Sequence, residues 1–481
     1  MFSGRLVSAV TGIIFTFMMV TRLGTSGYGT VEVIVTILTF ASFPVGTIAY
    51  WVTRDVARGK MVGRTALVSS VLLSGLGIFI YFAFTVFTYS TIAASLVPFL
   101  LGALLVPLSY WGGATSAVVT GYRPSAYGYS IVVSELAKIG IAYEALYVYR
   151  LGINGAILAL LTSYFVQALA GTYLVRVTTE NRFDPAEVKR WTRLSWLPAL
   201  SYLPSSLAVA DSLLVALVLH GTSVVGTYQV AFTLAQVVTY ATSLIFAMYP
   251  LLLQGGDRRL PAVSLEYSML FALPMAAGCI ALAGPILFQF GPNSILGTLG
   301  LSILAFMFLF NNISLLLDQT LMGTEKVDLG ETPSFWRLVR SNLLFVPIAN
   351  IAYGISYLAA LLVAMSYSSH AGFGVSAEVA IWAAVQLVAT FAFVLVKARR
   401  ARGVAHLIPS ISFVYYLASA SIMAAAVYAA APYFALETLR TATNVGHLVV
   451  LVALGAAIYF GLVYALDAKF RGMAHSVLRR I

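Results

Sequence analysis

The sequence is poor in cysteine and in charge. Cys279 is the single cysteine among 481 residues, so an internal disulfide and a cysteine-ligated metal cluster are both excluded, and its neighbours Gly278 and Ile280 make it a packing residue. Only 9% of the residues are charged, against 60% hydrophobic and a mean hydropathy of +0.93. A water-soluble domain cannot cover itself with so little charge, because the rest of its surface would be one apolar patch. A long polar segment is missing too. The longest connection between apolar runs, from about Arg176 to Leu194, carries Glu180, Asp184 and Glu187 among its basic residues and is too short for a separate domain. No residue pattern implies a cofactor. The apolar run after Arg5 leads into further spans without a small-residue cleavage pattern, so the first helix is expected to be retained.

What is present is a series of apolar windows, each long enough to cross the hydrocarbon core. They fall at about 4–21, 31–52, 65–88, 97–120, 126–148, 153–175, 195–219, 226–253, 261–286, 297–322, 338–366, 377–396, 409–432 and 446–466. The expected fold is therefore an all-α polytopic membrane protein of about 14 transmembrane helices. Numbering the connections alternately puts 24 of the 28 basic residues on one side, among them Arg54, Arg58, Lys60 and Arg64, the 182–193 group, and Lys397 with Arg399, Arg400 and Arg402. The opposite side has only Arg22, Arg150 and Arg440, and Lys138 falls within a span. A miscounted helix would have mixed the two sets from that point onward. By the positive-inside rule both termini lie in the cytoplasm, in a protein of the cell (cytoplasmic) membrane. The net charge of +11 is thus directed at the membrane lipids of the cytoplasmic leaflet, and a nucleic-acid partner is not expected.

The connection after the first helix reads GTSGYGTVEV, Gly24 to Val33, and that after the seventh reads GTSVVGTYQV, Gly221 to Val230. Six of these ten positions are identical, and both segments fall on the outer side. The expectation is a parallel repeat of two six-helix lobes, with a transport cavity between them and two extra C-terminal helices. The divisions are 1–193 for the N-lobe and its cytoplasmic linker, 194–402 for the C-lobe, and 403–481 for the peripheral helices and basic tail.

RLGTSGYG from Arg22 to Gly29 and RDVARGK from Arg54 to Lys60 resemble the polysaccharide exporter branch of the multidrug/oligosaccharidyl-lipid/polysaccharide (MOP) superfamily, which includes the Wzx-type flippases. Asp211, Gly221, VGTYQVA from Val225 to Ala231, and Pro250 as the end of helix eight are similar to the same branch, while Ser212 stands where its members often have a basic residue. The resemblance implies a lipid-linked glycan substrate, moved from the inner to the outer leaflet by alternating access. A coupling ion, proton or sodium, is compatible with it. An ion-coupled exporter of small amphipathic molecules with the same fold is the alternative. A major-facilitator transporter does not fit the spacing of Asp55, Arg58, Gly63 and Arg64, and a glycan polymerase or glycosyltransferase would need a substantial loop.

Ionisable groups within spans are costly and become the candidate cavity residues. Asp211 has no residue of opposite charge at helical spacing and is the sharpest of them, as a cavity group or a buried structural acid. Glu135 and Lys138 either neutralise each other or serve a cavity. Arg22 either meets a phosphate-bearing headgroup or snorkels to the interface. Glu32, whose repeat partner is Gln229, is read as a gate or cap. Asp318 with Asn311 and Asn312 on helix ten, and Asn342 with Asn350 on helix eleven, supply polarity that interhelical hydrogen bonds would also explain.

Overall fold

The computed structural model describes residues 2–92, 94–176, 181–242, 245, 248, 252, 259–325, 340–402, 411–434 and 442–478. Glu180, Pro250, Arg258, Lys326, Arg337, Glu437, Arg440, Arg479 and Arg480 lie outside the described residues. Among those described, every regular element is helical. Among the described residues ten helices are long and apolar enough to cross a membrane, which makes the chain a multi-pass membrane protein. One of the ten, Val7–Ala41, holds parts of two sequence windows, and Tyr202–Val218 is a shorter apolar helix.

The described residues form two compact units, the first of 1–229 with 365–371 and the second of 230–364 with 372–481. In the first, α1 (Phe2–Ala41) is interrupted at Gly24, whose φ of 69° and ψ of 178° suit a residue without a side chain. A second break falls at Ser42, before α2 (Phe43–Ala57), because Pro44 has no N–H to give the Phe40 carbonyl four residues back and its ring crowds that carbonyl. Tyr110 donates its hydroxyl to the Ala41 carbonyl, beside the break, at 2.8 Å. The unit continues with α3 (Gly63–Thr91), α4 (Leu96–Ala103), α5 (Leu105–Tyr122) and α6 (Pro124–Tyr143), then a π-helical turn at Glu144–Val148 and α7 (Ile153–Leu174). The amphipathic α8 (Pro185–Leu194) is capped by Asp184, which accepts from the Ala186 amide at 2.8 Å. Next come α9 (Trp196–Val218), which packs on α1 and α2, and most of α10 (Ser223–Ala235).

The second unit begins with the end of α10 and a 3₁₀ segment at Gln236–Thr242. It adds α11 (Leu260–Ala281), α12 (Ala283–Phe290), α13 (Thr298–Gly323), most of α14 (Asn342–Ala371), α15 (Val375–Ala401), α16 (Ser412–Ala430), α17 (Ala442–Leu466) and α18 (Ala468–Leu478). Here α13 packs along α15, and α16 packs along α11. Tyr459 of α17 donates its hydroxyl to the Leu270 carbonyl of α11 at 2.8 Å, and Tyr416 of α16 donates to Asp467 at 2.8 Å.

Candidate functional site

The two copies of the repeated decapeptide meet within the first unit. A Cβ on Gly29 would overlap the Thr222 carbonyl oxygen and lie 2.8 Å from the Gly226 nitrogen, and a Cβ on Gly226 would overlap the Thr25 carbonyl oxygen and lie 2.9 Å from the Gly29 nitrogen. The two backbones therefore touch, and only glycine permits it. Hydroxyls seal the seam: Thr222 Oγ1 donates to the Ser26 carbonyl at 2.9 Å and lies 3.2 Å from Thr30 Oγ1 and 3.3 Å from Ser26 Oγ. Glu32 and Gln229 stand one turn further along their helices. Tyr28 hydrogen-bonds Glu32, while Gln229 donates to Ser212 Oγ at 2.8 Å. The Ser212 amide donates to Asp211 Oδ1 at 2.7 Å, so Asp211, 4% exposed, belongs to a polar chain linking α9 to α10.

A cavity of about 260 Å³ opens in the same unit where α1 breaks at Ser42. Its polar lining consists of hydroxyls: Thr39, Ser42, Ser109, Tyr164, Tyr202, Ser205 and Ser206. Among the described residues, no carboxylate, ammonium or guanidinium lines it. Several of these hydroxyls already donate to the backbone, Thr39 to Val35 at 2.9 Å, Ser109 to Val106 at 2.8 Å and Ser205 to Tyr202 at 2.6 Å. Each keeps lone pairs to offer, and Tyr164 and Tyr202 contribute phenols that can donate. A ligand rich in hydroxyls and free of net charge suits such a lining. A cation would lose its hydration without gaining a counter-charge.

The other candidate residues are held in local partnerships. Glu135 on α6 pairs with Lys138 at 2.6 Å and accepts from Ser8 at 3.2 Å and from Thr11, both on α1. Lys138 Nζ also lies 5.3 Å from the centre of the Phe15 ring. Arg22 is exposed, its guanidinium stacked 3.9 Å over Tyr147 of the π-helical turn, and Tyr147 hydrogen-bonds Thr21 at 2.9 Å. In the second unit Asp318 pairs with Lys397 at 2.8 Å and accepts from Asn350 at 3.2 Å. Asn342 begins α14; its amide donates to Glu325 at 2.8 Å and its Oδ1 accepts from Arg400 at 3.1 Å.

Two groupings escape a reading of the sequence alone. Lys397, counted there with the cytoplasmic charges, is 2% exposed, because the register of α15 turns it onto α13 while Arg400 points out. Asp55, in the last turn of α2 among the basic residues Arg54, Arg58 and Lys60, is also buried. It accepts from Trp191 Nε1 at 2.8 Å and from Arg190, and Glu187 bridges Lys60 at 2.7 Å and Arg190 at 2.5 Å. Together these contacts fasten α8 to the end of α2. The cavity serines carried a usable signal, since Tyr202, Ser205 and Ser206 share one face of α9 at helical spacing beside the Ser42–Pro44 break.

No protein-family model matches the sequence, and neither does any curated protein. Solved structures do. The chain is similar to lipid II flippase MurJ in an inward closed conformation, with a TM-score of 0.67, 12% identity and 98% of each chain covered. It is also similar to an inward-facing multidrug resistance MATE family transporter, with a TM-score of 0.61 and 15% identity over 83% of this chain and 95% of that one. These two likenesses, over most of each chain, show that this chain has the fold that the two solved membrane proteins share.

Proposed function

We propose that this chain flips a lipid-linked oligosaccharide or polysaccharide precursor from the cytoplasmic to the outer leaflet by alternating access. The observation that carries this reading is the cavity at the Ser42 break, whose described lining residues offer hydroxyls and no fixed charge, which suits the sugars of a headgroup better than a cationic amphiphile. The likeness to a lipid II flippase over 98% of this chain supports it, as does the RLGTSGYG segment. In this reading the chain crosses the membrane fourteen times with both termini cytoplasmic, 1–193 and 194–402 are the two lobes, and 403–481 is peripheral. The Gly29–Gly226 seam closes the outer end and parts when substrate leaves.

The likeness to a MATE transporter favours a second reading, an ion-coupled exporter of small amphipathic molecules. Reconstitution into liposomes separates the two. With lipid-linked oligosaccharide in the inner leaflet, the first reading expects glycan to become accessible to an impermeant lectin or glycosidase on the far side. No glycan movement by a preparation that extrudes an alkyl cation would overturn it.

A further inference from the structure

Lys397 lies within the second unit, in a setting made entirely of oxygens. Its ammonium has three protons and three hydrogen-bond acceptors: Ser314 Oγ at 2.7 Å, Asn350 Oδ1 at 2.8 Å and Asp318 Oδ2 at 2.9 Å. Asp318 Oδ1 is a fourth oxygen, 2.8 Å from the same nitrogen, but it is buried without a hydrogen bond. The amide nitrogen of Asn350 donates to Asp318 at 3.2 Å, which keeps its carbonyl turned toward the ammonium. Ser314 and Asp318 are four residues apart on α13, so one face of that helix supplies both, with Asn350 coming from α14. A carboxylate, an amide carbonyl and a hydroxyl around one point are the ligands a hard cation takes, and an ammonium with three protons leaves one of the four oxygens unused.

We propose that Asp318, Asn350 and Ser314 form a cation seat whose resident cation is the Lys397 ammonium, and that a free monovalent cation of similar size occupies it once the lysine is removed. Size and charge select the ion. The oxygens lie 2.7–2.9 Å from the centre, beyond the roughly 2.0–2.6 Å at which magnesium and calcium hold their ligands. One carboxylate balances one positive charge, and a divalent ion would leave an uncompensated charge inside the unit. Potassium therefore fits better than calcium or magnesium, and methylammonium reproduces the natural occupant. It follows that an ion coupled to transport does not enter at Asp318, which already holds its cation covalently tethered.

The test uses the full-length chain in detergent, with thermal unfolding midpoints measured in potassium, methylammonium and choline chlorides at one ionic strength. The wild type should unfold at one temperature in all three. Lys397→Ala should unfold early in choline and gain about 5 °C in saturating potassium or methylammonium. The double variant Lys397→Met with Asp318→Asn, which removes both charges, should show no such gain. A Lys397→Ala protein indifferent to the cation overturns the seat and leaves an ordinary buried ion pair, and so does failure to fold in every salt. A wild-type protein that gains stability in potassium, and loses the gain in Asp318→Asn, also overturns it. These readings involve no transport, so they stand apart from the outcome of the flipping assay.

Discussion

Gly29 and Gly226 occupy the same position of the repeated decapeptide, and each one's backbone rests against the other's helix. Each also excludes a side chain through the equivalent threonine carbonyl of the other copy, Thr222 for Gly29 and Thr25 for Gly226. Equivalent residues in reciprocal contact define a local two-fold relation between the two copies.

Replacing either glycine with alanine sets two effects against each other. Helix propensity favours alanine by about 1 kcal/mol, whereas forcing a methyl into a packed contact costs about 1–3 kcal/mol. Because the methyl would overlap a backbone carbonyl, which cannot swing aside as a side chain can, packing wins. Gly29→Ala and Gly226→Ala should each lower the unfolding midpoint or part the seam. An alanine variant more stable than wild type would mean that the contact is not close.

Ser26 and Thr222 place their hydroxyl oxygens 3.3 Å apart across the seam. In a background where the buried Cys279 is replaced by alanine, Ser26→Cys with Thr222→Cys should form a disulfide, since two sulfurs at these positions need only a small shift to bond. The oxidised protein should lose transport and regain it on reduction. Full activity in the oxidised form would show that the seam need not open.

The all-helical membrane fold was legible because hydrophobic length speaks directly, and against the fourteen apolar windows ten helices among the described residues are long and apolar enough to cross. The ends of helices were less so. Lys397 and Asp55 each sit within runs of basic residues that composition assigns to a solvated surface, yet helical phase turns both inward. Pairing across helices is invisible to spacing along one helix. Asp318 has no cation near it in sequence because its partner is 79 residues away on α15. Glu135 and Lys138 were readable as a pair since three residues separate them, but the Ser8 and Thr11 hydroxyls that complete their setting come from α1.

That pair is the third expectation. Both side chains are about one-tenth exposed, so removing either charge leaves the other short of compensation in a desolvated interface. Glu135→Gln and Lys138→Met should each be more damaging than the double variant, with a coupling of about 1–3 kcal/mol in a double-mutant cycle of unfolding. Additive effects would assign the two residues separate roles.

Asp55 fastens α8 through Trp191 and Arg190. Asp55→Ala leaves the fully buried indole N–H without its acceptor, at a cost of about 1–3 kcal/mol, while the half-exposed Arg190 can turn to water. Limited proteolysis near 177–184 should therefore accelerate, with quenchers reaching Trp191. Unchanged cleavage and quenching would mean that packing alone holds α8.

Asp211 closes the polar chain that runs from Gln229 through Ser212, just inside the glycine seam. Glu32, the repeat partner of Gln229, carries the corresponding acid on the other helix, so two carboxyl groups flank the contact that must part if the outer end opens. An acid 4% exposed in a membrane protein carries a desolvation cost that asparagine would lower, so a use for its charge or its proton is the expectation that substitution tests. Asp211→Asn keeps the shape and an acceptor oxygen for the Ser212 amide, so the variant should fold and unfold much as the wild type does. Loss of the ionisable proton should lower transport about tenfold, the equivalent of about 1.4 kcal/mol of barrier, with Asp211→Ala worse still. If Asp211→Asn moves a lipid-linked glycan at the wild-type rate with an unchanged pH profile, the carboxyl serves only as a hydrogen-bonding group, and ion coupling must run through other residues.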